Sequence, residues 1–162
     1  FHAQLGETFV LPEAQIEKQT MYVPGIDGQK MSKSKNNTIN IFLPEKQLRK
    51  QIMAIQTDST ALEDPKNPDG CNCFALYKLM ASEKDVETMK QNYLSGGYGY
   101  GHAKQALFEL LLETFKTPRL RFNHFMTNKS ELDTVLANGA KRAQLVANKV
   151  LKRVRLKFGY QV

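Results

Sequence analysis

The 162-residue sequence has no long apolar run and only two cysteines. A membrane-spanning helix needs roughly 18 or more uninterrupted apolar residues, so the sequence argues against a transmembrane protein and predicts a soluble one with no membrane partner. Pairing Cys71 with Cys73 would close a tight, strained ring, and nothing else suggests a disulfide-rich secreted domain. We therefore expect reduced thiols and a cytoplasmic location.

The sequence also lacks a cluster of metal ligands. A structural zinc site takes four ligands with short, regular gaps, whereas Cys71 and Cys73 are accompanied only by three scattered histidines. No metal site is predicted among these side chains, and buried or half-exposed thiols are the preferred interpretation.

Acidic residues are missing from the end of the chain. Overall there are 23 Lys and Arg against 16 Asp and Glu, a net charge of +7, which favours an anionic partner such as nucleic acid or nucleotide. From Lys141 onward there is no Asp or Glu, and seven residues are basic: Lys141, Arg142, Lys149, Lys152, Arg153, Arg155 and Lys157. A phosphate-contacting surface and a merely solvated helix face both remain open. Similarly, Phe122, His124 and Phe125 could stack on unpaired bases or belong to a core.

The apolar pattern divides the chain near residue 40. Up to Val23, short apolar pieces predict loop, strand and a helical turn, and Pro24 to Gly28 predicts a tight turn. From Pro44 onward the pattern is helical, with Leu48, Ile52 and Ile55 on one face. We therefore predict a mainly α protein: a short strand-and-loop remnant in residues 1–40, then a bundle of about six helices in residues 41–162.

Within the helical part, some boundaries have specific signals. Ser82 with Asp85 forms a capping-box pattern, and Ala103 to Phe115 has the apolar density of a central helix. Ser130 with Asp133 predicts another cap, for a helix that should stop or bend near Gly139.

Two further motifs have competing interpretations. Gly96 to Gly101 could suggest a phosphate loop, but it follows a helix and lacks the usual fingerprint spacing, so a permissive connector is preferred. Thr57-Asp58-Ser59 could look catalytic, but a turn in which Asp58 accepts backbone N–H groups explains it better.

Lys30-Met31-Ser32-Lys33-Ser34 is the constellation with a clear chemical use. It places two ammonium groups three residues apart, with two hydroxyls and free backbone N–H groups, in a flexible polar loop. Such a loop can wrap a polyphosphate, and cations that approach a departing pyrophosphate lower the barrier selectively. Mobility would help, because a closing loop contributes most in the transition state. A generic solvated loop is the alternative for any pair of lysines.

The five-residue string resembles the KMSKS motif of class I aminoacyl-tRNA synthetases. With its flanks, from Gly6-Glu7 through Thr57-Asp58-Ser59 to Gly139-Ala140-Lys141, the whole chain resembles the C-terminal half of the bacterial tryptophanyl-tRNA synthetases. The resemblance implies that Lys30 and Lys33 are catalytic, and that Met31, Ser32 and Ser34 also bind ATP. It also implies that Met21 contacts the adenine. Lys35 stands where the family more often has a tyrosine or an acidic residue.

The same resemblance implies a ligase that activates tryptophan with ATP and Mg²⁺ and attaches it to tRNA through a homodimeric enzyme. It also implies that residues 1–40 are the end of a Rossmann-like α/β catalytic domain with the KMSKS loop, and that residues 41–162 are a helical domain that binds the tRNA anticodon. The family's HIGH-type motif and tryptophan pocket would precede Phe1, so the fragment alone is expected to be inactive. A tyrosyl-type synthetase and a non-catalytic helical RNA-binding module are the alternatives.

Overall fold

The computed structural model describes residues 1–17 and 20–160, and this part is mainly α-helical as predicted. Residues 1–17 and 20–160 contain seven α-helices: α1 (His2–Leu5), α2 (Glu45–Met53), α3 (Asn72–Lys78), α4 (Glu83–Ser95), α5 (Tyr100–Thr114), α6 (Lys116–Thr127) and α7 (Lys129–Lys157). A short 3-10 helix covers Lys33–Lys35. The strand expected before the first turn is absent from the described residues, where the only β pairing is an isolated antiparallel bridge between Pro24 and Lys30. No described helix has the length and apolar character to cross a membrane.

The chain divides into two compact units. One unit comprises Ile16–Phe122 and the other comprises Phe1–Gln15 with Asn123–Val162, so the boundary falls within α6. The predicted domain boundary near residue 40 is a different division of the chain from these two compact units, and it stays a prediction.

The buried core lies in the unit Ile16–Phe122, where α5 packs against both α2 and α3. This confirms α5 as the central helix, and four of its residues are buried: Ala103, Leu107, Phe108 and Leu111. Cys71 and Cys73 are free and buried as expected. Burial raises the pKa of the Cys73 thiol to about 12, since the apolar surroundings disfavour the thiolate.

In the other unit, the first residues lie against the end of α7. The Phe1 and Phe158 rings are 5.6 Å apart, edge to face, and Lys157 Nζ donates to the Leu5 carbonyl at 2.7 Å. No residue of α7 is buried.

The prediction that this last region breaks near Gly139 is wrong, because α7 continues through it to Lys157. Gly139 keeps a negative φ, and an interior glycine costs only about 1 kcal/mol relative to alanine. The predicted Ser130 cap is wrong as well, since α7 begins at Lys129 after Asn128.

Other local predictions are confirmed. Ser82 is the N-cap of α4, and its hydroxyl accepts from the Asp85 N–H at 3.2 Å. Gly96 ends α4 with φ +75°, so the glycine-rich segment is a connector to α5. Asp58 accepts from the Thr60 N–H at 2.9 Å, and additionally from the Tyr100 hydroxyl at 2.7 Å.

Candidate functional site

The lysine-serine loop, residues 30–34, follows a tight reverse turn. The Gly28 N–H donates to the Gly25 carbonyl at 3.1 Å, and Gly28 has φ +76°, a conformation that glycine adopts at little cost. The Gly25 N–H donates to the Gln29 carbonyl at 2.7 Å, and the Met31 N–H donates to the Val23 carbonyl at 2.9 Å. These bonds fix the backbone on both sides of the turn and thereby the start of the loop.

The loop itself is one turn of 3-10 helix, Lys33–Lys35, between Ser32 and Asn36. Ser32 Oγ and Ser34 Oγ are 2.9 Å apart and hydrogen-bonded. Asn36 ends the turn in the left-handed region at φ 53°, which asparagine tolerates better than most residues. The two hydroxyls are therefore adjacent on an exposed turn.

The two motif lysines keep their ammonium groups available. Lys30 and Lys33 are both exposed, and in the described part of the chain neither Nζ makes a hydrogen bond or an ion pair. Lys35 differs, because its Nζ donates to the Gln29 side chain at 2.8 Å. The lysine that departs from the family pattern is thus tied to the loop's own base, whereas the two predicted phosphate-binding lysines face solvent.

The other predicted ligands lie on either side of this loop. Met21 is 65% exposed, two residues before the Val23 carbonyl that accepts from Met31. The Met31 side chain packs against the hydrophobic core and its N–H is bonded to the Val23 carbonyl, so this residue anchors the loop. The binding roles of all these residues stay predictions.

Asn37 is a residue that the sequence analysis missed. It is 2% exposed, and its Nδ2 donates to Asp27 Oδ1 at 2.7 Å and to the Lys30 carbonyl at 3.2 Å. Its Oδ1 accepts from the Ser32 N–H at 2.8 Å, and its backbone carbonyl accepts from the Ile26 N–H at 3.0 Å. A single buried carboxamide therefore joins the turn to both sides of Met31.

Asp27 is the carboxylate within this frame. The Asn37 carboxamide, opposed by partial desolvation and assisted by the Gln29 N–H and the Lys35 charge, lowers the pKa of Asp27 below its usual value. Asp27 is therefore an anion at neutral pH, already engaged by the loop's own donors.

The loop base is attached to the helical body by hydrogen bonds. The Gln56 N–H, just beyond α2, donates to the Ile26 carbonyl at 2.7 Å, and Asn72 Nδ2 donates to the Gln56 carbonyl at 3.2 Å. Lys104 Nζ donates to the Met53 carbonyl at 3.1 Å, where a cation complements the negative end of the α2 dipole. The turn thus rests directly on the ends of α2 and α3.

The aromatic residues considered for base stacking already have partners. Phe122 stacks on Phe42, with ring centroids 4.6 Å apart and planes at 22°. His124 Nε2 contacts Glu131 Oε2 at 2.6 Å, and its ring meets Phe125 edge to face at 5.6 Å. These contacts favour the structural interpretation of the cluster.

Comparison with known proteins gives a consistent result. A family model described as tRNA synthetases class I (W and Y) matches residues 2–116. The tryptophan–tRNA ligase of Rhodopirellula baltica is 49% identical over 98% of this chain, and that of Campylobacter jejuni is 44% identical over 95%. The crystal structure of the Campylobacter jejuni tryptophanyl-tRNA synthetase, complexed with ADP and tryptophan, superposes with a TM-score of 0.83 at 43% identity and covers 98% of this chain.

In each of these comparisons the chain matches only part of its relative. It spans 50% and 48% of the length of the two curated relatives and 50% of the Campylobacter jejuni crystal-structure chain.

Proposed function

The chain belongs to the class I tRNA synthetases of the tryptophan and tyrosine type, and from that membership we propose its role in a full-length enzyme. The enzyme activates tryptophan with ATP and attaches it to its tRNA. Residues 1–40 supply the end of the catalytic domain with the phosphate loop, and residues 41–162 supply a helical tRNA-binding domain. The relatives' names favour tryptophan over tyrosine. A cytoplasmic homodimer is part of the proposal.

The chemistry assigned to the loop is charge stabilisation. When the amino-acid carboxylate attacks the α-phosphate of ATP, negative charge accumulates on the departing pyrophosphate. Lys30 and Lys33 neutralise that charge, while the Ser32 and Ser34 hydroxyls and nearby backbone N–H groups orient the phosphates. The observation that carries this assignment is that both ammonium groups are exposed and unengaged among the described residues, on a backbone held by hydrogen bonds.

The proposal also covers the adenine of ATP and its Mg²⁺ ion. Met21, largely exposed and two residues before the Val23 carbonyl that accepts from the Met31 N–H, contacts the adenine. Mg²⁺ would be held mainly by the ATP phosphates and would share their negative charge. Asp27, the carboxylate within the loop frame, already accepts hydrogen bonds from Asn37 and the Gln29 N–H, and we assign it no metal-binding role.

The tRNA contact is assigned to α7. In the described residues, Arg153 and Lys157 donate to the carbonyls of Thr8 and Leu5, whereas other basic residues of the helix have no acidic partner. Helical spacing places Lys141, Lys149 and Lys152 on one side of α7. Lysines on one side of a helix can contact backbone phosphates together.

The decisive experiment is Lys33→Ala in the full-length enzyme, measured by tryptophan-dependent pyrophosphate exchange. We expect kcat to fall by roughly 100-fold or more, as for loss of a group that acts in the transition state, with little change in tryptophan affinity. Lys90→Ala, which removes the same charge from exposed α4, serves as the control and should match the parent. Unchanged adenylate formation in Lys33→Ala would exclude the proposed role.

A further inference from the structure

We propose that Asn37 is a positioning residue of the phosphate loop: its buried carboxamide sets the backbone from which Lys30 and Lys33 project. The inference rests on the proposed function, since it concerns the same loop. The Asn37 side chain bonds to Asp27, to the Lys30 carbonyl and to the Ser32 N–H, so its effect passes through the backbone of the loop.

The orientation of the carboxamide follows from its partners. Two acceptors, Asp27 Oδ1 and the Lys30 carbonyl, face one end of the group at 2.7 and 3.2 Å, so this end must be the NH2. A donor, the Ser32 N–H, faces the other end at 2.8 Å, so that end must be the oxygen. The site therefore needs two donors and one acceptor in one planar group.

The position of these bonds gives them their effect on the lysines. They hold the Lys30 carbonyl and the Ser32 N–H, the peptide groups on either side of Met31, whose side chain packs against the core. Beyond Ser32 the chain forms only the short 3-10 turn that carries Lys33. The Lys30 backbone is thus fixed, and the turn carrying Lys33 is anchored at Ser32 and Asn37.

Asn37 can occupy its position only because the residue packed against it, Gly25, has no side chain. A Cβ added to Gly25 would lie 2.5 Å from the Asn37 carboxamide and 2.6 Å from the Asn37 carbonyl oxygen. Only glycine at position 25 lets the carboxamide reach the turn. Larger groups at position 25 would push Asn37 off Lys30 and Ser32.

No common replacement reproduces the pattern. In Asn37→Asp, an oxygen replaces Nδ2 and meets Asp27 Oδ1 and the Lys30 carbonyl, so two attractive contacts become repulsive. Asn37→Ala removes all three side-chain bonds and leaves the Ser32 N–H without that partner. Both variants should displace the loop, and displacement of catalytic groups by about 1 Å can cost on the order of 100-fold in rate.

The test is pyrophosphate exchange by the full-length enzyme carrying Asn37→Ala. We expect kcat to fall roughly 10- to 100-fold, while the KM for tryptophan stays within about twofold of the parent. Asn92→Ala, a half-buried asparagine on α4, is the matched control and should leave both values unchanged. A loss of kcat in Asn37→Ala below about threefold would overturn the inference, as would an equal loss in the control.

A second pair of variants separates positioning from general destabilisation. Asp27→Ala combined with Asn37→Asp removes the carboxylate that the new carboxylate would otherwise face across the 2.7 Å contact. The double variant should recover at least about threefold of the kcat that Asn37→Asp loses, because the repulsion between the two carboxylates is gone, whereas two unrelated destabilisations would add. No recovery would overturn the inference. If Asn37→Ala does not fold, Asp27→Ala alone removes the acceptor of the same bond, and an unchanged kcat there would overturn it.

Lys33→Ala keeps the two proposals distinguishable. If Lys33→Ala abolishes exchange and the Asn37 variants do not change it, the positioning role fails and the phosphate-loop function stands. If Lys33→Ala leaves exchange unchanged, the proposed function itself fails.

Discussion

Lys66 gives the sharpest stability prediction, because it is a lysine buried within the helical unit. It is 2% exposed, and its Nζ donates to the carbonyls of Ala61, Leu62 and Asp64 at 2.9, 3.1 and 3.0 Å. The ammonium also lies 5.6 Å from the centroid of the Tyr100 ring. The perturbation is Lys66→Met, which keeps a long unbranched side chain and removes every one of these polar contacts.

The magnitude follows from opposing contributions. Three hydrogen bonds from a charged donor, at about 1.5 kcal/mol each, and a cation–π contact of about 0.5 kcal/mol give a loss of about 5 kcal/mol. Removing the ammonium relieves its desolvation cost, and the exposed acceptor residues let water reach some carbonyls, which offsets about half of the loss. We expect the free energy of unfolding to fall by about 2 to 3 kcal/mol, or the Tm by roughly 4 to 12 °C.

The assay is urea unfolding followed by circular dichroism and by tyrosine fluorescence, since the chain contains no tryptophan. Two probes are needed because the chain divides into two units, which can unfold separately. The free energies of the variant and the parent should be compared only for a transition that both probes report. Lys90→Met, on the exposed side of α4, is the control and should stay within about 0.5 kcal/mol of the parent. If Lys66→Met is equally close to the parent, the burial argument is wrong.

Four further outcomes are expected. The isolated 162-residue chain, which spans about half of its relatives, should give no tryptophan-dependent pyrophosphate exchange; measurable exchange would contradict this. Lys149→Ala with Lys152→Ala should weaken tRNA binding and reduce the slope of log K against log salt by about 2, and an unchanged slope would remove α7 from the interface. Cys73 should react with a thiol reagent far more slowly in the native chain than in urea. Rapid labelling of Cys73 in the native chain would refute its burial. The pKa of Cys73 in the folded chain, about 12, exceeds its ordinary value of 9.0, so the free energy of unfolding should also fall as the pH rises above about 9.

The local features were accessible from the sequence because their partners are close along the chain. Ser82 and Asp85 are three residues apart, so the cap needs no tertiary information. The apolar density from Ala103 to Phe115 likewise sufficed to identify α5, although its start lies at Tyr100. The family resemblance, confirmed by the comparisons, depended on a short motif whose chemistry is local.

The wrong predictions concerned residues whose local preference is weaker than the other interactions of the segment. Gly139 was expected to stop or bend a helix, but its cost of about 1 kcal/mol is small beside a ladder of hydrogen bonds through the 29-residue α7. The strand expected before Pro24 did not form in the described residues because a strand needs a partner, and the pairing there is limited to one bridge with Lys30.

The sequence by itself determined the helical class and the family of the chain, since periodicity, caps and a contiguous motif lie in neighbouring residues. The tertiary structure decided which polar residues are buried. In the sequence, Asn37 is one of several loop asparagines, and only the folded turn brings Asp27, Lys30 and Ser32 into contact with it. Lys66 likewise has the sequence context of an exposed lysine, and only the folded chain places three carbonyls around its ammonium group. Burial and hydrogen-bond direction depend on several segments at once, and for that reason they emerge only from the folded chain.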